Sequence, residues 1–144
     1  MFQEDLGILI GGDCKRSIVQ YSLNLSTNIG KVQKKYGEIG IAHVASSAYI
    51  GNLAIFGGGN SLLRFIDMKN RILIGNIFKT SINSIKFMQV CPVINPQNKD
   101  DWKVFLCVSG SNASISSTDV IDITQLVKKM EIPLSVIEKG HLTS

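Results

Sequence analysis

The chain has 144 residues, of which 44% are apolar and only 18% are charged, with a formal net charge of +4. This balance excludes an intrinsically disordered protein, which combines low hydrophobicity with high charge. No apolar stretch approaches the roughly 18 residues of a membrane helix, and the acidic start before the first apolar run is unlike a signal peptide. Three cysteines without a CxxC spacing favour reduced thiols. We therefore expect a cytoplasmic protein, with the nucleus as the alternative, and no membrane partner.

The first predicted elements are short strands separated by a tight turn. Residues 8–10 form an apolar run that ends in two glycines, and residues 18–21 follow a turn from Asp13 to Arg16. Short apolar runs closed by Gly are typical of strands, and Gly and Asp are typical of hairpin turns. The more polar run 29–36 comes next and is predicted to be an outer strand.

The same order of elements returns in the middle of the chain. Residues 53–56 are apolar, a turn is predicted from Gly57 to Asn60, and the runs 62–66 and 72–78 follow. The strand candidate before them, with Ile39 as its first apolar residue, has its counterpart 43 residues later at Ile82. This spacing predicts four strands in the second repeat.

The third repeat is longer and less regular. Residues 104–108 form its most apolar run, whereas the segment from Pro92 to Asp101 is polar and carries two prolines. That composition predicts a long loop, and the Ser-rich segment from Ser109 to Thr118 is also expected to lack regular structure. Residues 125–130 fit either a helical turn or an outer strand.

The second apolar run of each repeat ends at a corresponding position, which is Tyr21, Ile66 or Ile121. Successive positions are 45 and 55 residues apart. A period of about 40–50 residues with about four strands per repeat is typical of a propeller blade. The prediction is an all-β fold, a single partial β-propeller of about three four-stranded antiparallel blades. The blades are expected at residues 1–37, 38–80 and 81–139, and a fourth would begin at 140.

The repeats resemble those of the WD-repeat β-propellers, over most of the chain. In RFIDMKN, Ile66 stands where the family has Trp and Asp67 at its Asp position, while Asp122 matches in the third repeat. The closing Gly140-His141 is similar to the Gly-His pair that opens a blade. The resemblance implies structural turn roles for Asp67, Asp122 and His141. A kelch-type propeller is the alternative, because Gly-Gly pairs follow two of the apolar runs.

The number of repeats bears on completeness, because propellers close with about 4–8 blades. Three repeats predict a fragment or a truncated open reading frame. The alternative is a ring completed by the remaining blades of another subunit.

Motifs for catalysis do not stand out in the sequence. Gly57 to Asn60 lacks the following Lys-Ser/Thr of a phosphate loop, and no nucleophile motif of the GxSxG kind occurs. His43 and His141 are far apart, without clustered carboxylates or thiols. We expect no enzyme activity, no cofactor and no metal.

The predicted function is that of a non-catalytic protein–protein interaction scaffold of the WD-repeat type. In the family, partners dock on the turns between second and third strands and on the links between blades. Here this implies eight partner-binding residues, which are Lys15, Arg16, Gly37, Glu38, Asn60, Ser61, Lys79 and Thr80. The alternatives are a kelch-type adaptor, a nucleic-acid-binding propeller and part of a propeller enzyme. Nucleic acid is not favoured, because no aromatic residues alternate with Lys31, Lys34 and Lys35.

The same pattern predicts which side chains form the core. Phe65 and Phe87 are expected to pack between sheets. Burial on inner strands is expected for Ile8, Ile10, Ala54, Phe56, Leu106 and Val108.

Overall fold

The computed structural model describes residues 5–10, 17–24, 26–27, 29–37, 39–41 and 43–143. Within these residues the protein is mostly β, with ten strands followed by two short helices. The strands form three successive sheets of three, four and three strands, and each described strand pairing is antiparallel. The prediction of a mostly β protein built from successive antiparallel sheets is therefore confirmed.

Neighbouring strands in each sheet are also neighbours in the chain. Sheet 1 contains β1 (Asp5–Ile10), β2 (Ile18–Asn24) and β3 (Ile29–Tyr36). Sheet 2 contains β4 (Val44–Ile50), β5 (Leu53–Gly58), β6 (Leu62–Asp67) and β7 (Ile72–Lys79). Sheet 3 contains β8 (Ser84–Asn95), β9 (Asn98–Asn112) and β10 (Ile115–Asp122). The helices are α1 (Thr124–Lys129) and α2 (Leu134–Thr143).

Sheet 2 is covered on both faces, and β5 shows how. Side chains alternate between the two faces of a strand. Leu53 and Ile55 belong to the apolar cluster that sheet 2 shares with sheet 3, whereas Ala54 and Phe56 belong to the cluster shared with sheet 1. All four are fully buried. Sheet 2 is therefore the middle layer of a stack of three sheets.

A buried polar network joins sheet 1 to sheet 2. The Gln20 side chain on β2 donates from Nε2 to the Met68 carbonyl oxygen at 3.0 Å and to Gln33 Oε1 at 3.1 Å. The Tyr36 hydroxyl donates to Gln20 Oε1 at 2.7 Å. Because both ends of the carboxamide are bonded, the network avoids the penalty of burying unpaired polar atoms.

The two helices pack against sheets 2 and 3 and extend their shared core. Val127 of α1 and Ile137 of α2 are fully buried in the cluster that includes Leu106 of β9. The start of α1 is tied to β9, because Thr124 Oγ1 accepts a 3.0 Å hydrogen bond from the Val104 backbone N–H. The third repeat therefore ends in helices, and the all-β prediction was wrong from residue 124 onward. Residues 140–143 likewise lie in α2, where a fourth repeat was expected to begin.

Two predicted loops are β-hairpins instead. Most of the segment from Pro92 to Asp101 lies in β8 and β9, which extend to a turn at residues 96–97. β8 is an edge strand, where a proline is tolerated because the ladder does not need its missing N–H. Residues 109–118 form the β9–β10 hairpin, with Ala113 in the left-handed region of its turn. Polar composition therefore misled the assignment of both segments.

Of the eight residues predicted to be buried, the structure confirms five, contradicts one and leaves two untested. Phe65 is buried, and Ala54, Phe56, Leu106 and Val108 are fully buried. Phe87 was wrongly placed between sheets, since its side chain is 56% exposed. A register shift between Ile85 and Phe87 turns the two residues to opposite faces of β8. The side chains of Ile8 and Ile10 lie outside the described part of the chain.

Candidate functional site

One end of the stacked sheets collects turns and links from several repeats, and we call it the turn edge. Hydrogen bonds connect these segments to one another rather than only within each hairpin. The turn edge consists of the described residues of the β3–β4 link (37, 39–41 and 43), the β5–β6 turn (59–61), Lys79 with the β7–β8 link (80–83), and the β9–β10 turn with the last residue of β9 (112–114).

Ser61 and Thr80 form the centre of this edge. The Thr80 backbone N–H donates to the Ser61 carbonyl oxygen at 2.8 Å, and Thr80 Oγ1 donates to the same oxygen at 2.9 Å. The Ser61 N–H in turn donates to the Asn83 carbonyl oxygen at 3.1 Å. Ser61 and Thr80 are 8% and 6% exposed. These two residues therefore hold the link against the turn.

Asn60 connects the β5–β6 turn to the β3–β4 link. Its Nδ2 donates to the Gly40 carbonyl oxygen at 2.8 Å. Gly40 has a φ of +81°, which glycine adopts without the strain that a Cβ would add. Asn60 Oδ1 is buried and accepts no hydrogen bond from any residue that the structure describes. Beside this link the turn edge therefore carries an acceptor that no described residue bonds.

Sheet 3 fixes the other side of the β7–β8 link. Ser81 donates to the Asp119 carboxylate from its backbone N–H at 3.0 Å and from its hydroxyl at 2.7 Å. Asn112 Oδ1 accepts from the Asn83 N–H at 2.6 Å, and Asn112 Nδ2 donates to the Ser81 carbonyl oxygen at 3.1 Å. Sequence reasoning missed Asn112 and Asp119, because their contacts depend on which hairpin lies beside the link.

The predicted partner-binding residues fall into four groups. Gly37 and Lys79 are exposed on the turn edge, whereas Ser61 and Thr80 are buried within it, and Asn60 is half-buried. Lys15, Arg16 and Glu38 lie outside the described residues. The structure thus brings Asn60, Ser61 and Thr80 together, with Lys79 next to them in the chain.

The predicted turn residues have different surroundings. Asp67 Oδ1 accepts from the backbone N–H groups of Lys69 and Asn70 at 3.0 and 3.1 Å, and Asp67 Oδ2 accepts from Asn70 Nδ2 at 2.7 Å. These bonds close the β6–β7 turn. Asp122 accepts from the Thr124 N–H at 2.9 Å, and hydrogen bonds from Thr124 hold the pKa of its carboxyl below the ordinary value of 3.8. His141 lies in α2.

The lysines considered for nucleic-acid binding lie on β3. Lys31, Lys34 and Lys35 are exposed there, on the outermost strand of sheet 1. The aromatic residue that follows them on β3, Tyr36, is buried in the network with Gln20 and offers no stacking surface. Tyr21 on β2 pairs with Val32 and is half-buried, so the cluster is a charged strand with a partly exposed aromatic side chain beside it.

Two cavities lie away from the turn edge. The larger, of about 390 Å³, lies between the β6–β7 turn and the end of α1, and Lys129 and Glu131 bring opposite charges to its wall. The smaller, of about 270 Å³, is bordered by Ile50, Val136 and Lys139. Among the described residues, no group of three or more His, Cys, Asp or Glu side chains could hold a metal ion. No helix in the described part of the chain is long and apolar enough to span a membrane.

The face of sheet 3 that points away from sheet 2 is unusually apolar. Phe87, Val93 and Val120 are 56%, 51% and 64% exposed. Cys91 and Cys107 lie between them, with their Sγ atoms 3.6 Å apart. We call this the outer face of sheet 3, and it consists of Phe87, Gln89, Cys91, Val93, Lys103, Phe105, Cys107, Val120 and Asp122. Sequence reasoning did not find it, because Phe87 was assigned to the core.

Comparison with known proteins adds no assignment. No protein-family model matches this sequence, and no curated protein matches it either. The geometry of the chain is therefore the basis of the functional proposal.

Proposed function

We propose that the chain is part of a WD-type β-propeller and acts as a non-catalytic scaffold for protein–protein interaction. One observation carries the proposal: sheet 2 is buried on both faces by the preceding and following sheets, through alternating residues of β5 such as Ile55 and Phe56. Propeller blades are consecutive antiparallel sheets that pack face to face in this way.

The outer face of sheet 3 supports the same reading. An apolar sheet face is normally covered, and a further sheet stacked on Phe87 and Val120 would repeat the packing between sheets 2 and 3. In the proposal, that sheet belongs to the remaining blades, supplied by the same polypeptide or by another subunit. The cellular setting proposed for the assembly is the cytoplasm.

The turn edge is the proposed docking region. Its hydrogen bonds fix the backbone around Ser61 and Thr80, so these turns are already ordered before a partner binds. Binding would therefore cost little conformational entropy in the turns. In the proposal Lys79 and Gly37 contact the partner together with Lys15, Arg16 and Glu38. Asn60, Ser61 and Thr80 act mainly by holding the turns in place.

Site-specific photo-crosslinking tests this docking region. A photoreactive amino acid would replace Lys79 on the turn edge or, as the matched control, exposed Lys99 at the far end of sheet 3. We expect the photoreactive residue at position 79 to form one discrete, saturable crosslink to a partner protein. Excess protein without the photoreactive residue should compete for the partner and abolish that crosslink. Equal labelling from both positions would contradict the proposal.

The second candidate function is nucleic-acid binding, which the three exposed lysines of β3 favour. Retention on a polyanion column separates the two functions, because phosphate contacts make binding strongly salt-dependent. Loss of that retention when Lys31, Lys34 and Lys35 are replaced by Gln would favour nucleic acid as the partner. If the chain is a protein scaffold, the triple lysine variant should still form the crosslink from position 79.

A further inference from the structure

Two cysteines that are distant in the sequence meet on the outer face of sheet 3. Cys91 lies on β8 and Cys107 on β9, and their Sγ atoms are 3.6 Å apart. Both residues are free thiols with half-buried side chains. The pair therefore faces outward, on the face of sheet 3 that the stack leaves uncovered.

The strand register makes a direct disulfide unfavourable. Cys91 pairs with Phe105 and Cys107 pairs with Gln89, so the two cysteines are diagonal neighbours rather than opposite one another. Diagonal Cα atoms across an antiparallel pair are about 7–8 Å apart. Disulfides usually join Cα atoms about 4.4–6.8 Å apart. Closing a disulfide here would require the two paired strands to shift.

The same separation suits an ion placed between the sulfurs. With metal–sulfur bonds of about 2.3 Å, two sulfurs 3.6 Å apart subtend an angle of about 100° at the metal, close to the tetrahedral value. Thiolates select soft d¹⁰ ions over hard cations. We propose that Cys91 and Cys107 form a two-thiolate binding site for a soft d¹⁰ cation of the Zn²⁺ and Cd²⁺ class. In the 144-residue chain by itself, the remaining coordination positions lie on the exposed outer face of sheet 3.

Binding at this site releases protons. The M²⁺ ion takes the place of both thiol protons, so that two S–H bonds break, two metal–sulfur bonds form and two H⁺ leave to solvent. Burial raises the pKa of the Cys91 thiol, and the neighbouring Cys107 raises it further. The charged neighbours on this face are Lys103 and Asp122.

Titration with Cd²⁺ tests the site directly. The reduced 144-residue chain would be titrated without oxygen, and binding followed by the ultraviolet sulfur-to-cadmium charge-transfer band. We expect Cys91→Ser and Cys107→Ser each to lose the band and to bind about 10²- to 10⁴-fold more weakly, because chelation by two ligands is lost. Cys14→Ser is the matched control and should retain the full band. Circular dichroism would verify that each variant keeps its β-sheet content.

Three results would overturn the proposal. The first is Cd²⁺ affinity in both single variants equal to that of the parent, and the second is loss of the band in Cys14→Ser. The third is quantitative formation of a Cys91–Cys107 disulfide with oxidised glutathione, seen as a loss of two hydrogens by intact mass. None of these results depends on the scaffold function.

Discussion

Gln20 Nε2 donates a 3.0 Å hydrogen bond to the Met68 carbonyl oxygen, across a separation of 48 residues. This contact fastens sheet 1 to the turn after β6, and the Tyr36 hydroxyl bonds the other end of the same carboxamide. The interface between sheets 1 and 2 thus combines apolar packing with one buried polar network.

Removal of the Gln20 carboxamide should destabilise this interface. Gln20→Leu leaves the Met68 oxygen and the Tyr36 hydroxyl without their partner, and unpaired buried groups cost about 1–3 kcal/mol each. We expect a loss in that range in the free energy of unfolding, measured with urea. Lys35→Ala on the exposed strand β3 is the control and should change it by less than about 0.5 kcal/mol. Equal effects in both variants would contradict the role of the network.

Stability should depend on the Tyr36 proton at alkaline pH. Burial raises the pKa of the Tyr36 hydroxyl above its ordinary value of 10.0. Because the folded chain holds this proton more tightly than the unfolded chain, the stabilisation is complete below pH 10 and is lost as the pH rises through the folded pKa. The stability difference between the parent and Tyr36→Phe should therefore shrink above pH 10. Tyr49→Phe is the control, because it removes a hydroxyl from an exposed tyrosine. A stability difference between the parent and Tyr36→Phe that does not change with pH would refute the linkage.

Adjacent residues of β5 should uncouple different sheets. Ile55 packs towards sheet 3 and Phe56 towards sheet 1, and both are fully buried. Ile55→Ala should cost about 2–5 kcal/mol and Phe56→Ala about 3–5 kcal/mol. Hydrogen exchange should accelerate most in β8 for the first variant and in β2 for the second. The same exchange pattern in both variants would show that the two faces are not separate interfaces.

Gly110 of β9 and Gly37 of the turn edge provide a paired test of packing. A Cβ on Gly110 would collide with the backbone carbonyl of Ser84, whereas a Cβ on Gly37 would meet no atom within 4 Å among the described residues. Gly110→Ala should therefore destabilise the chain by about 1–3 kcal/mol, because backbone cannot move aside as a flexible side chain does. Gly37→Ala should leave the thermal midpoint nearly unchanged. A tolerated Gly110→Ala would mean that β8 and β9 are less closely paired there.

The sequence predicted element type best where the local signal was strong. The apolar runs that became β5 and the centre of β9 are short, β-branched or aromatic and closed by small residues, as strands are. It failed for the segment from Pro92 to Asp101, because proline and polar residues indicate a loop unless the strand lies at a sheet edge. It left residues 125–130 open between a helical turn and an outer strand, because the six residues of α1 are too few to show a helical period.

The candidate site was only partly predictable. The sequence suggested that Asn60, Ser61, Lys79 and Thr80 lie on one surface. In the structure hydrogen bonds join Ser61 to Thr80, while Asn60, next to Ser61 in the chain, bonds Gly40. The sequence did not indicate that Ser61 and Thr80 would be buried. Their burial arises where the β5–β6 turn meets the β7–β8 link, and the two residues are 19 positions apart in the chain.

Apolar patterning alone determined that this chain forms successive antiparallel sheets, since each strand's character is local. Only the tertiary structure decided which side chains face one another. The register shift after Ile85 turns Phe87 outward, and the shift near Asn95 helps to set Cys91 beside Cys107. Such shifts arise because hairpins settle into the register that buries the most apolar surface against neighbouring sheets. The buried apolar area depends on contacts between segments that are far apart in the chain, so a local sequence pattern cannot determine the register.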